Sequence, residues 1–261
     1  GDTTSAERIK IRKNPPQLLI ITPESFSLML SYEDFEKRLK TVQCVVVDEW
    51  HELIGSKRGV QLELCLSRIR GLNKNLKTWG LSATLGNVKE ASDVLLGSHQ
   101  IKQKKIISSD QFKKIDIISL IPKKIECFPW AGHLGLRLLP DILSMLGSAK
   151  STLIFTNTRS QAELWFEALL KSQPELVGRI ALHHGSLDKN IRSRVEEGLK
   201  LGEFNCVVCT SSLDLGVDFS PVEQVIQIGS PKGIARLLQR AGRSGHQPGV
   251  ASKIICAPTN A

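Results

Sequence analysis

Val45-Val46-Val47-Asp48-Glu49-Trp50-His51 is an unbroken apolar run that ends in two adjacent carboxylates, with a histidine two residues further on. Continuous rather than alternating apolarity reads as a strand buried on both faces, the signature of a parallel sheet. In open α/β sheets, ligands bind outside the carboxyl ends of the strands. Acids at that point stand where a phosphate-bearing ligand would. Asp48, at the strand end, can hold a hydrated Mg²⁺ against nucleotide phosphates. Glu49 can polarise a water for attack on a γ-phosphate. An Asp-Glu pair alone is common; its place after a strand, followed by His51, makes it specific.

The same kind of run recurs at residues 18–21, 153–155, 180–182, 207–208, 225–226 and 254–256. Between the runs lie helical spacings. Leu62, Cys65, Leu66 and Ile69 recur at i, i+3, i+4 and i+7, and Ala162, Trp165, Phe166 and Leu169 repeat the pattern, which we read as core packing. Strand alternating with helix predicts an α/β fold with doubly wound parallel sheets. The alternation breaks between residues 102 and 125, which hold seven Lys and two Asp, a net charge of +5. This stretch predicts an edge hairpin and linker, with a solvated lysine face as natural a reading as a DNA track. We therefore expect three parts: residues 1–108, an edge or linker segment at 109–136, and a second domain at 137–261.

Composition narrows the class. The 261 residues are 41% hydrophobic, enough for one large or two compact domains. No stretch approaches the roughly 18 apolar residues of a membrane span, and the N-terminus lacks the basic and apolar regions of a secretory signal. The chain opens on Gly1 rather than Met, so a longer protein is expected. A net charge of +9 favours a polyanionic partner without proving one. Cys206 and Cys209 form the one C-x-x-C, but residues three apart on a strand point to opposite faces and cannot share a metal; they read as buried thiols. For His183-His184 the same alternation predicts one core side chain and one phosphate-facing donor rather than a metal pair.

Two further clusters carry chemistry. Ser82-Ala83-Thr84 follows the strand expected around residues 78–80, 34 residues after Asp48. Hydroxyls at a strand end can pass hydrogen bonds from a nucleotide site to a second site. Farther on, Pro231 sits near a helix start and Gly242 near its end, and Arg236, Arg240 and Arg243 fall at i, i+4 and i+7, so three cations share a helical face with no nearby acid in sequence. An arginine supplied to a transferring phosphoryl group is worth roughly 10³–10⁵ in rate.

The order of these elements, D-E-W-H, then S-A-T, then Q-R-A-G-R-S-G-H, resembles the DExH helicases of superfamily 2. Longer strings at residues 46–62 (VVDEWHELIGSKRGVQL), 78–87 (TWGLSATLGN), 128–135 (FPWAGHLG) and 210–219 (TSSLDLGVDF) resemble the large helicase-related (Lhr) family, specifically its ligase-associated bacterial branch. The resemblance implies two RecA-like domains, the first incomplete at its N-terminus, with ATP and Mg²⁺ bound between them. It assigns Mg²⁺ to Asp48, water activation to Glu49, and motif VI to Gln239, Arg240 and Arg243, with Arg243 the best finger candidate and Arg240 second. His51, Ser82 and Thr84 would couple hydrolysis to movement, and Gly216 and Asp218 would lie near the nucleotide. Asp2, Thr3, Thr22, Pro23, Glu24, Arg159, Thr210 and Ser211 would meet nucleic acid, contacts of the kind that carry no sequence information. Many superfamily 2 relatives end motif VI on a third arginine where this chain has His246; the Lhr-like branch shows His there.

No G-x-x-x-x-G-K-[ST] phosphate loop occurs in the sequence. The look-alike at residues 147–152 lacks the glycine before Lys150 and reads as a helix end and turn. The resemblance places the loop upstream of residue 1, and winged-helix and C-terminal domains beyond Ala261. It implies an ATP-dependent helicase acting on single-stranded or forked DNA in repair, in the bacterial cytoplasm at the nucleoid, with a DNA ligase and a nuclease as partners and no membrane. Two alternatives stay open: a nucleic-acid-binding piece that does not hydrolyse ATP, and an RNA-directed motor of the same architecture.

Overall fold

The computed structural model describes residues 3–83, 85–97, 104–108, 114–121, 136–214, 222–245 and 251–259. The chain divides into two compact units, Gly1–Ser108 and Ser109–Ala261.

The first unit contains α1 (Ser5–Lys13), α2 (Pro23–Leu30), α3 (Phe35–Leu39), β1 (Cys44–Val47), α4 (Trp50–Leu53), α5 (Lys57–Leu72), β2 (Lys77–Gly80) and α6 (Val88–Leu96). Strands β1 and β2 are parallel, with Val45 opposite Thr78 and Val47 opposite Gly80. Helix starts are set by side-chain caps. Thr22 accepts from the Ser25 N–H with Pro23 at the first helical position, and Ser56 and Asn87 cap α5 and α6. The apolar face of α5 (Leu62, Cys65, Leu66 and Ile69) is buried with Phe26 and Leu30 of α2, Val47 and Trp50.

Two expectations fail in this unit. Residues 18–21 form no strand: they have no ladder partner among the described residues, and Ile20 is 92% exposed. Hydrophobicity alone does not make a strand when nothing completes its backbone hydrogen bonds. Nor is β1 buried on both faces. Val47 is buried, whereas Val46 is 51% and Trp79 60% exposed. Among the described residues, helices cover one side of β1, and its burial alternates along the strand.

Gly59 shows how closely α5 approaches α4. A Cβ added there would lie 2.1 Å from the Leu53 carbonyl oxygen. Gly59→Ala is expected to destabilise by about 1–3 kcal/mol through this clash, although alanine is about 1 kcal/mol the better helix former. A denaturation midpoint at or above wild type would contradict the close approach.

The second unit contains β3 (Ile115–Ser119), α7 (Leu139–Gly147), β4 (Thr152–Phe155), α8 (Arg159–Ser172), β5 (Ile180–His183), α9 (Lys189–Leu201), β6 (Cys206–Cys209), β7 (Gln224–Ile228), α10 (Ile234–Ala241) and β8 (Ser252–Ala257). The six strands are parallel in the order β3-β8-β7-β4-β6-β5. One core holds α7 and α8 against Ile154, Val208, Ile226 and Ile255; the other holds Val195 and Leu199 of α9 and Ala241 of α10 against Leu153, Val207, Val225 and Ile254. Strands β4, β6 and β7 are buried along their whole length, as a sheet covered on both faces requires. Chain direction across the sheet reverses at the neighbouring pair β4 and β7, a topological switch point.

Cys206 and Cys209 fall in the two different cores. Both are free thiols, and burial pushes both upward in pKa. Residues 147–152 are the end of α7, a turn and the start of β4. The hairpin expected in the lysine-rich segment is replaced, within its described residues, by β3 lying parallel to β8, with Ile117 opposite Ile254. Its apolar residues 115, 117 and 118 add an edge to the sheet.

Candidate functional site

In the first unit, the ladder continues past the strand ends and ties two of the chemical clusters together. The Leu81 N–H donates to the Val47 carbonyl at 2.8 Å, and the Trp50 N–H donates to the Leu81 carbonyl at 2.9 Å. Asp48 is exposed and its Oδ1 accepts the Glu49 N–H at 3.0 Å. Glu49 has φ 50°, a left-handed backbone conformation that costs an L-residue about 1–2 kcal/mol. Trp50 holds the turn down: its ring is buried, and its indole N–H donates to the Ala91 carbonyl at 3.0 Å.

His51 joins the clusters directly. Its side chain is 3% exposed. Nδ1 accepts the Ala83 N–H at 3.2 Å and lies 3.3 Å from the Ser82 hydroxyl. An accepting Nδ1 puts the proton of the neutral ring on Nε2, which stands 3.9 Å from Glu52. Glu49 Oε2 is 3.5 Å from the same Nδ1. Asp48, Glu49, His51 and Ser82 are thus brought together, whereas Thr84 lies outside the described residues. No group of three His, Cys, Asp or Glu side chains arranged for a metal occurs among the described residues. Asp48 nevertheless suits Mg²⁺, which takes one or two carboxylates and fills its shell with water and substrate phosphates.

The candidate nucleic-acid residues of this unit have structural duties. Thr22 caps α2. Glu24 accepts from Arg58 Nε at 2.6 Å, and that guanidinium holds its carboxyl down to about 2. Thr3 is exposed just before the cap of α1, and Asp2 lies outside the described residues.

In the second unit, the candidate residues gather at the carboxyl ends of β4, β5 and β6. Arg159, the first residue of α8, is exposed and donates to the Ser186 hydroxyl at 3.2 Å. The Thr210 N–H donates to the His183 carbonyl at 3.2 Å, and Ser211 is exposed. Beneath them, His183 Nδ1 lies 2.7 Å from the Ser212 hydroxyl and Nε2 3.1 Å from Glu196. Burial lowers the His183 pKa, with Glu196 acting in the opposite direction.

The expected outward-facing histidine is corrected. His184 is buried like His183, with its Nε2 3.3 Å from Glu163 of α8. Strand alternation ends with β5 at His183, so it does not govern the next residue. Gly216 and Asp218 lie outside the described residues, as does His246.

The arginine stripe is also corrected, because an acid does pair it. Arg240 is 2% exposed and makes a two-pronged contact with Asp214, Nε to Oδ1 at 2.7 Å and Nη2 to Oδ2 at 3.0 Å. Its Nη1 donates to Gln227 of β7, and its guanidinium lies 4.6 Å from the centre of the Phe155 ring. Arg236 Nε is 3.6 Å from the same carboxylate. Arg243 donates Nη2 to the Asp214 backbone carbonyl at 2.7 Å. Arg240 therefore faces into the protein, which removes it as a second finger, and Gln239 beside it is half-buried. Asp214, Gln227 and Phe155 were not singled out in the sequence. Asp214 sits inside the 210–219 string, but nothing local announces a partner 26 residues away.

The comparisons with known proteins give the family. Residues 1–91 match the DEAD/DEAH box helicase family, and residues 135–247 match the helicase conserved C-terminal domain. The paired domains put the chain among the superfamily 2 helicases. It is 39% identical over 260 residues to ATP-dependent helicase Lhr-Core protein 2 of Thermococcus barophilus, covering 98% of this chain and 30% of that protein. It is 34% identical over 300 residues to the Lhr helicase/uracil glycosylase of Escherichia coli, covering 99% and 19%. A solved structure of Mycobacterium smegmatis helicase Lhr bound to ssDNA and AMP-PNP superposes with a TM-score of 0.80 at 34% identity, over all of this chain and 34% of that one. The chain belongs to the Lhr-like helicases and spans 30% or less of the length of these two curated relatives. Its two units are RecA-like. Among the described residues, no helix is long and apolar enough to cross a membrane.

Proposed function

We propose that the protein containing this chain is an ATP-driven motor that moves along single-stranded or forked DNA. The observation that carries the reading is the His51 contact with Ser82 and Ala83, which links the hydrolytic acids to the S-A-T loop. Asp48 would hold Mg²⁺, the metal supplying charge neutralisation at the phosphates. Glu49 orients the attacking water. Arg243 stabilises charge on the transferring phosphoryl group. Arg159, Thr210 and Ser211, with Thr3 and the Thr22-Pro23-Glu24 turn, meet the nucleic-acid backbone, and Gly216 and Asp218 the nucleotide.

These 261 residues by themselves are expected to bind nucleic acid without turning over ATP, since no phosphate loop occurs in them. In the full-length protein, Glu49→Gln is expected to lower DNA-stimulated hydrolysis by about 10²–10⁴-fold, the usual worth of a positioned base, with ATP binding retained. Wild-type turnover in that variant would remove Glu49 from the reaction. Affinity for DNA should fall steeply with salt. Unwinding of duplexes carrying DNA or RNA loading strands distinguishes this motor from an RNA-directed one. The ssDNA bound to the Mycobacterium smegmatis relative favours the former. The strings at residues 46–62 and 210–219 further support the ligase-associated branch, a role in repair at the nucleoid, and ligase and nuclease partners, for which co-purification is the test.

A further inference from the structure

Asp214 lies at the end of the short turn that begins at Thr210, and it is 4% exposed. Its two kinds of oxygen do different work. The carboxylate takes the fork of Arg240 and stands 3.6 Å from Arg236, while the backbone carbonyl takes Arg243. The carboxylate cannot shift without breaking a buried charge pair that is itself fixed by Gln227 of β7 and Phe155 of β4. The carbonyl of the same residue is therefore held in place from below. The same residue thus reaches Arg240 through its side chain and Arg243 through its backbone.

We infer that Asp214 is the positioning residue of the arginine finger: its carboxylate locks onto Arg240 so that its carbonyl can aim Arg243. This rests on the ATPase reading above. Asp214 touches no reacting atom. It acts through Arg243, and its turn starts at two residues assigned to the nucleic acid, so it also ties strand binding to the aim of the finger.

The test is a double-mutant cycle in the full-length protein, measuring kcat and KM for ATP hydrolysis at saturating single-stranded DNA. Arg243→Ala is expected to lower kcat about 10³-fold. Asp214→Asn keeps the shape but loses the charge, and is expected to lower kcat about 100-fold, the scale of an ångström's misplacement. KM is expected to change by less than about twofold. The double variant should turn over no more slowly than Arg243→Ala alone, because Asp214 has nothing left to aim. Multiplying losses would overturn the inference, as would a normal kcat in Asp214→Asn. If Asp214→Asn does not fold, Asp214→Glu, which keeps the charge but displaces the carbonyl, is read in the same cycle with the same criteria. Unchanged turnover in Arg243→Ala would instead sink the finger reading itself, so the two failures are distinguishable.

Discussion

In the full-length protein, Arg243→Ala is expected to lower DNA-stimulated ATP hydrolysis by roughly three orders of magnitude while leaving the fold intact. Arg243 is half-buried just beyond the end of α10, and its hydrogen bond with Asp214 is to a backbone carbonyl. Losing that bond costs about 1 kcal/mol of stability. On the proposed finger role, the large loss falls on charge that develops as the phosphoryl group departs. Phosphate release at saturating ATP and DNA measures it, and a melting curve on the same protein checks the fold. Turnover within a few-fold of wild type would show that the phosphoryl group is stabilised by something else.

Arg240→Ala is expected to do the reverse damage. The side chain sits three residues earlier, on the buried side. Its removal leaves the Asp214 carboxylate in the protein interior without its forked partner, and breaking such a pair costs about 3–5 kcal/mol. That is a large share of the roughly 5–15 kcal/mol of a typical domain. Arg240→Lys should rescue little, because an ammonium cannot make the fork or lie flat on Phe155. Urea denaturation of the 261-residue chain reads the effect. A midpoint near that of wild type would mean that Asp214 is satisfied by other groups.

That contrast also marks how far the sequence could be read. Strand ends followed by acids, hydroxyls or arginines marked where the candidate side chains gather, because a doubly wound sheet delivers its loops to one edge. The cores of α5 and α8 followed from spacing alone. Burial of the valine run and of residues 18–21 did not, because these properties depend on what covers a face or completes a ladder. Local residues do not specify either. The arginine stripe misled for a related reason. Helical spacing put Arg236 and Arg240 on one side of α10, and Arg243, beyond the helix end, meets the same Asp214, but whether that side faces solvent or an acid from another loop is a property of the sheet order. His184 shows the same limit at a smaller scale, since strand alternation stops governing side chains one residue beyond β5.

Glu49 occupies its left-handed turn at a conformational cost that glycine or asparagine would avoid. On the water-orienting role proposed for Glu49, stability and turnover pull in opposite directions at this residue, and a substitution that relaxes the turn would strengthen the fold while it silences hydrolysis.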